Sequence, residues 1–259
     1  MGSSSAVHIV TLITSIIGFI SNFCVIISIC HGRIRRTYPK YHRVITSFSV
    51  CMIFTAGFLV YYNLGQEAMG HSDYFMHELF AIGMSYSAVT SVMHWVCITV
   101  EVHRHTLHIS RENSLVREAT SLIFIVWVFS AVFAGTLMWI MDSTALVGVV
   151  SFFIFIVGLA LFVFYITFIR RQMKRRNKIY SFIAANEAHM RQQKEDYLPT
   201  HYIFCFFVCI SPYIIGGMYE TISGIKLSES TSSVILFVYS LVLIMHPVVY
   251  VLRRIFSIT

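Results

Sequence analysis

"LVLIMHPVVYVLRR" runs from Leu241 to Arg254 and sets His246 and Pro247 inside an otherwise apolar run. Traced back to Ser230 and forward to Leu252, the interval holds no Asp, Glu, Lys or Arg. About 20 predominantly apolar residues suffice for a helix to cross the hydrocarbon core of a bilayer. The stretch therefore reads as a membrane helix that carries a proline, not as a soluble helix broken by one. An imidazole is costly in such a place, so His246 is a candidate functional group.

Six more intervals free of those four residue types span 1–32, 44–66, 79–100, 119–141, 143–169 and 197–219. The chain is 57% hydrophobic and only 12% charged, where a soluble domain carries about a quarter charged residues. The expected fold is an all-α seven-transmembrane helix bundle forming one domain over 1–259. Its spans are expected near 7–30, 44–66, 79–101, 119–141, 143–170, 200–221 and 230–252, with a long connection over 171–199.

Eighteen of the 19 basic residues fall after the first, third, fifth and seventh intervals, and only Lys226 falls in the alternate loops. Those alternate loops carry Glu67, Asp73, Glu78, Asp142, Glu220 and Glu229. The bias predicts an N-terminus outside and a C-terminus inside. The formal charge of +7 is accounted for by attraction to anionic inner-leaflet lipids, so no nucleic-acid partner is implied. "MGSSSAVHIV" lacks the basic start of a cleaved signal peptide, and Ala6 stands where a myristoylation motif wants Ser or Thr. No Asn-x-Ser/Thr acceptor occurs, and all six cysteines lie within expected spans, so no extracellular disulfide is expected.

The segment "RRQMKRRNKIYSFIAANEAHMRQQKEDY" contains no glycine, and the fifth and sixth helices are expected to extend along it into the cytosol. It is either a lipid-facing basic stem or a docking surface for an intracellular partner. No internal repeat is visible, and only Pro212 and Pro247 lie inside spans. A transporter built from repeats would carry matched prolines in both halves.

Marks inside the spans carry the functional reading. The sixth contains Phe206, Cys209, Pro212 and Tyr213 in the spacing F-x-x-C-x-x-P-Y. Pro212 removes a helical hydrogen bond and sets a hinge. The seventh contains Pro247, Tyr250 and Phe256 in the spacing P-x-x-Y-x5-F. Asn22 marks the first span, Trp127 the fourth and Tyr165 the inner end of the fifth, while Glu101 closes the third. Any one of these is most often a packing feature.

Taken in chain order, these marks resemble the rhodopsin-like (class A) G protein-coupled receptors, and the resemblance covers essentially the whole chain. It implies that Pro212 and Tyr250 move when an agonist binds, that Phe206 packs beside them, and that Asn22 makes an interhelical polar contact. It implies a heterotrimeric G protein as cytosolic partner. Several positions depart from the family pattern. The third helix reads Glu101-Val102-His103 and then Arg104 in place of Asp/Glu-Arg-Tyr, Ile210 replaces the usual tryptophan, and no acid lies in the second span. His246 takes the place of the family's asparagine, as a neutral imidazole that donates and accepts one hydrogen bond each. Its expected partner is Asn22 or a trapped water.

The seventh span has no Lys, which excludes a retinal Schiff base, and Met84 occupies the position where amine receptors place aspartate. Tyr61, Tyr62, Met84, Tyr86, Ser87, Tyr213, Tyr219 and Tyr239 offer an aromatic lining with few charges. It suits a small, weakly polar extracellular ligand, with Met84, Ser87, Tyr213 and Tyr239 as its contacts. Any single tyrosine here also fits a membrane-interface role. The short outer loops and worn motifs resemble invertebrate, nematode-like serpentine chemosensory receptors. The expected place is the plasma membrane, with membrane lipids as partners, no cofactor, no metal and no enzymatic activity.

Two other classes stay open at this point. A membrane metal-dependent hydrolase is suggested by His103, His105 and His108 beside Glu101. Helical spacing puts only His105 and His108 roughly on one face, and no second group of His, Asp and Glu is expected inside a span to complete a core site. A small seven-helix transporter or channel is the other.

Overall fold

The computed structural model describes the backbone over 2–31, 42–69, 74–107, 112–141, 143–164 and 198–258, plus residues 166, 167, 171 and 174. Side chains are described mainly over 6–31, 42–65, 78–100, 120–141, 145–164 and 208–251. Seven helices occur among these residues: α1 (Gly2–Cys30), α2 (His42–Met69), α3 (Tyr74–Leu107), α4 (Glu112–Ile140), α5 (Ser143–Phe164), α6 (Leu198–Ser223) and α7 (Glu229–Ile258). In lipid every backbone polar group must find its partner inside the protein, which favours helices.

Six of the seven are long and apolar enough to cross a membrane: Ala6–Cys30, His42–Gly65, Glu78–Val100, Thr120–Ile140, Ala145–Phe164 and Glu229–Val251. In α6 the described side chains begin only at Val208, so the expected span 200–221 lies partly outside the described residues. The connection expected over 171–199 lies almost wholly outside them.

The helices pack in sequence: α1 on α2, α2 on α3, α3 on α4 and α5, α5 on α6, and α6 on α7, with α7 closing onto α1. Alternate helices run in opposite directions. The end holding the start of α1 also holds the starts of α3, α5 and α7; it is called proximal below, and the end at His42 distal.

The surface of the bundle is apolar, as its core is. Ile13, Ile17, Ile20 and Phe23 of α1, Phe124 and Val132 of α4, and Phe152 and Ile156 of α5 face outward. Thr14, Ser15, Asn22, Ser49, Thr55, Ser91, His94, Ser240 and His246 are buried. An apolar exterior, with polar side chains kept to the inside of an apolar core, is the arrangement of a helix bundle solvated by lipid. The chain has the build of an integral multi-pass membrane protein.

Small residues set the closest helix approaches. A Cβ on Gly18 would lie 2.5 Å from Leu243 Cβ, and one on Gly83 would lie 2.6 Å from the Phe58 ring. Gly18 lets α1 lie close against the α7 backbone, and Gly83 leaves room on α3 for the Phe58 ring of α2. The short connection between α6 and α7 is held by its own polar groups. Gly224 (φ 66°) ends α6 in the left-handed region that glycine tolerates, and its N–H donates to Glu220 O at 3.0 Å. The Glu220 carboxylate accepts Leu227 N–H at 2.8 Å. Ser228 Oγ accepts Thr231 N–H at 3.2 Å, capping the start of α7.

Candidate functional site

The distal half of the bundle contains a polar layer built around two histidines. His94 of α3 and His246 of α7 are both buried among apolar neighbours. His94 Nδ1 lies 2.7 Å from Thr90 O, and a carbonyl only accepts, so Nδ1 carries the proton. Nε2 then accepts from Ser47 Oγ of α2 at 2.7 Å. Ser47 Oγ in turn accepts the Trp127 Nε1–H of α4 at 2.8 Å. A neutral imidazole in this one tautomer satisfies all three side chains, and the chain ties α2, α3 and α4 together.

His246 Nε2 sits 2.9 Å from Ser49 Oγ of α2. Phe48 separates the two histidines: its ring lies 4.6 Å from that of His246 and 5.8 Å from that of His94, with Trp95 edge-on at 6.3 Å. His246 Nε2 thus meets Ser49 and not the expected Asn22. Asn22 is engaged elsewhere. Its Nδ2 donates to Leu243 O at 2.8 Å and to Gly18 O at 2.7 Å. Leu243 stands four residues before Pro247, so its carbonyl is the one that the proline leaves without a helical donor. Asn22 thus supplies from α1 the hydrogen bond that Pro247 removes from α7, and its contact is interhelical as expected. Asn22 Oδ1 has no hydrogen-bond partner among the described residues.

A second layer lies toward the proximal end. Met84, Ser87 and Ser91 follow one face of α3 and all three are buried. Ser91 Oγ donates to Ser87 O at 2.7 Å, and Cys51 Sγ of α2 lies 3.7 Å from the same carbonyl. Ser87 Oγ has no partner among the described residues. Tyr239 of α7 is buried, and its ring centroid lies 5.2 Å from that of Tyr213 on α6, which is half-buried.

Of the eight residues expected to line a ligand site, Met84, Ser87, Tyr213 and Tyr239 therefore turn inward. Tyr61 and Tyr219 face outward. Tyr62 stacks on Phe80 at 3.8 Å, and Tyr86 lies 6.1 Å from Trp127.

A third cluster closes the proximal end. His8 Nδ1 meets Asn63 Oδ1 at 3.1 Å, and His8 Nε2 meets Ser233 Oγ at 3.3 Å. Asn63 Nδ2 donates to Leu59 O at 2.7 Å, which fixes the amide orientation. His8 therefore bridges α2 and α7 from α1.

Among the other expected switch residues, Pro212 and Pro247 lie inside α6 and α7, and Cys209 and Tyr250 are buried. Glu101, Arg104 and Phe206 belong to α3 and α6, but their side chains lie outside the described residues, as does Tyr165 altogether. The histidines of the metal reading, His103, His105 and His108, fall outside the described side chains too. His94 is an intramembrane histidine that the reading of the sequence passes over, and Ser47, Ser49 and Cys51 are missed with it. The signal for His94 was available: it stands inside a charge-free interval just as His246 does. The serines carry no such signal, because serine is common in membrane helices. No protein-family model matches this chain, and no curated protein matches it.

Proposed function

We propose that the chain is a divergent member of the rhodopsin-like receptors. It crosses the plasma membrane seven times with its N-terminus outside, and it binds a small, weakly polar chemical signal. On this reading the proximal layer of Met84, Ser87, Tyr213 and Tyr239 receives the ligand. The bend at Pro212 and Pro247 transmits its arrival, and the distal face presents Glu101, Arg104 and the basic connection to a heterotrimeric G protein.

One observation carries the reading. Tyr239 and His246 are seven residues apart on α7 and occupy the two layers, about 10 Å apart at 1.5 Å per residue. The helix that touches the ligand layer is the helix whose released carbonyl is held by Asn22. A ligand that moves Tyr239 therefore acts on α7 at the position where its own hydrogen-bond ladder is interrupted. Apolar walls, with Ser87 Oγ unpaired among the described residues, favour an uncharged ligand, since a buried charge without a partner is expensive.

The test combines topology and response. Epitope tags at the N-terminus and within 171–199 should be reached by antibody on intact cells in the first case only. A panel of small uncharged compounds should then evoke G protein dissociation in cells displaying the protein. Ligand-evoked current without a G protein would favour a channel, and stoichiometric zinc in the purified protein would favour the hydrolase.

A further inference from the structure

The proximal cluster of His8, Asn63 and Ser233 distributes its donors and acceptors differently from the network at His94. α1 packs on α2 and α7, and half-buried His8 stands between buried Asn63 of α2 and buried Ser233 of α7. Asn63 gives an amide N–H to Leu59 O at 2.7 Å, so the oxygen that meets His8 Nδ1 at 3.1 Å is an acceptor. Ser233 has a single hydroxyl proton, and Glu229 O takes it at 2.8 Å. The Ser233 oxygen lies 3.3 Å from His8 Nε2 and meets it as an acceptor too.

Both ring nitrogens of His8 therefore face acceptors. A neutral imidazole has one N–H and satisfies one of them, whereas the imidazolium has two and satisfies both. At His94, where Nδ1 faces a carbonyl and Nε2 a hydroxyl donor, the same accounting returns the neutral ring. A neutral His8 keeps both contacts only if Ser233 turns its proton from the carbonyl at 2.8 Å to the nitrogen at 3.3 Å. Among the described residues, the nearest titratable side chains in sequence on α2 and α7 are Tyr61, Tyr62 and Glu229. Tyr61 faces outward and Tyr62 stacks on Phe80. Glu229, one turn before Ser233, favours a cation at this end, and Lys226, exposed in the connection before α7, opposes one. Glu67 of α2 lies outside the described side chains.

We infer that His8, Asn63 and Ser233 form a proton-binding site: a proton taken up by His8 clasps the start of α1 to α2 and α7, and its release lets them part. The proton comes from bulk water and returns to it, and no bond between heavy atoms changes. Ser233 stands six residues before Tyr239 on α7, about 9 Å at 1.5 Å per residue, so the clasp holds the helix that bounds the proximal layer. On the topology proposed above this end faces outside, and extracellular acidity sets the clasp. Only that sidedness rests on the receptor reading; the site itself rests on the packing of three helices.

The proton site is tested by NMR of protein carrying isotope-labelled histidine, in nanodiscs of zwitterionic lipid, with buffered protons as the only ligand. The His8 ring signal is the one lost in His8→Gln. Ser233→Ala removes an acceptor from the imidazolium, so the His8 titration should move to lower pH by about 1 unit, roughly tenfold in proton affinity. A serine that donated to a neutral ring would give the opposite sign. An unchanged midpoint, or one at higher pH, would overturn the site.

Closure is read without that variant by pulsed EPR between spin labels at exposed Ala6 and Ser230, in the same nanodiscs and with the native cysteines replaced. From about pH 8 to about pH 5, the range in which histidine changes charge, the share of the shorter distance should rise at least about fivefold. In His8→Gln it should change by less than about twofold. A distance distribution that stays constant with pH in the His8 protein would overturn the clasp, and an equal change in His8→Gln would overturn the role of His8. Neither measurement involves the small ligand or a G protein, so failure here leaves the receptor reading standing, and failure of that reading leaves the proton site.

Discussion

Asn22 of α1 donates at 2.8 Å to the carbonyl of Leu243, the acceptor that Pro247 strips of its helical donor four residues later on α7. The proline and the asparagine are two halves of one arrangement on different helices. Gly18, one turn before Asn22, removes the side chain that would otherwise hold α7 away.

This pairing makes a coupled prediction. Asn22→Ala should destabilise the purified protein by about 1–3 kcal/mol, the cost of leaving a buried acceptor unsatisfied. In a Pro247→Ala background Leu243 O regains its own donor, and the same change should cost about 1 kcal/mol less. A double-mutant cycle of reversible unfolding in mixed micelles reads the difference. Strict additivity would contradict the arrangement.

Ser47 is the junction of the second network, accepting from Trp127 and donating to His94. Ser47→Ala should therefore cost more than Trp127→Phe, which removes a donor and leaves the serine bonded to the histidine. The expected gap is about 1 kcal/mol, read by the same unfolding measurement. Equal losses would show that the hydroxyl holds only one of the two.

His246 Nε2 meets Ser49 Oγ across the boundary of α7 and α2, and a polar side chain of similar reach should serve. His246→Asn should keep surface expression within about twofold of wild type, since the change in helix stability stays under about 0.5 kcal/mol. His246→Leu leaves Ser49 facing an apolar wall and should reduce expression severalfold. Flow cytometry of the tagged protein distinguishes the two, and equal expression of both would remove the polar-pair account.

Glycines at helix contacts and glycines at lipid should respond with opposite signs. Gly18→Ala places a methyl 2.5 Å from Leu243 Cβ and should destabilise by about 1–3 kcal/mol. Gly57→Ala meets nothing within 4 Å and should stabilise by about 0.4–1 kcal/mol through helix propensity and unfolded-chain entropy. Thermal unfolding in detergent checks both.

The helices were legible because lipid imposes a simple rule: Asp, Glu, Lys and Arg avoid its core, so their absence outlines each span. The charge-free interval 143–169 and the helix Ser143–Phe164 agree at the proximal end for that reason. Inward-facing residues were harder to read. Serine and threonine bond to their own helix, as Thr14 does to Val10 O and Thr55 to Cys51 O, so their presence does not say which way they face. Ser49 and Ser47 therefore gave no sign of which histidine each would meet. Asn22 and Pro247 were each singled out, but their relation depends on α1 lying against α7, a contact between the first and last helices that local pattern does not encode. The outward turn of Tyr61 beside the stacked Tyr62 likewise reflects helix rotation, which aromatic content alone does not determine.

Signalling through these bends is read most directly as ligand-evoked G protein dissociation in cells displaying wild-type protein, Pro212→Ala or Tyr250→Phe at matched surface levels. A compound that activates wild type should lose at least about tenfold in efficacy or potency in both variants, the size expected when roughly 1.4 kcal/mol of coupling between two helix arrangements is removed. Undiminished responses in both variants would contradict a receptor that signals through these bends.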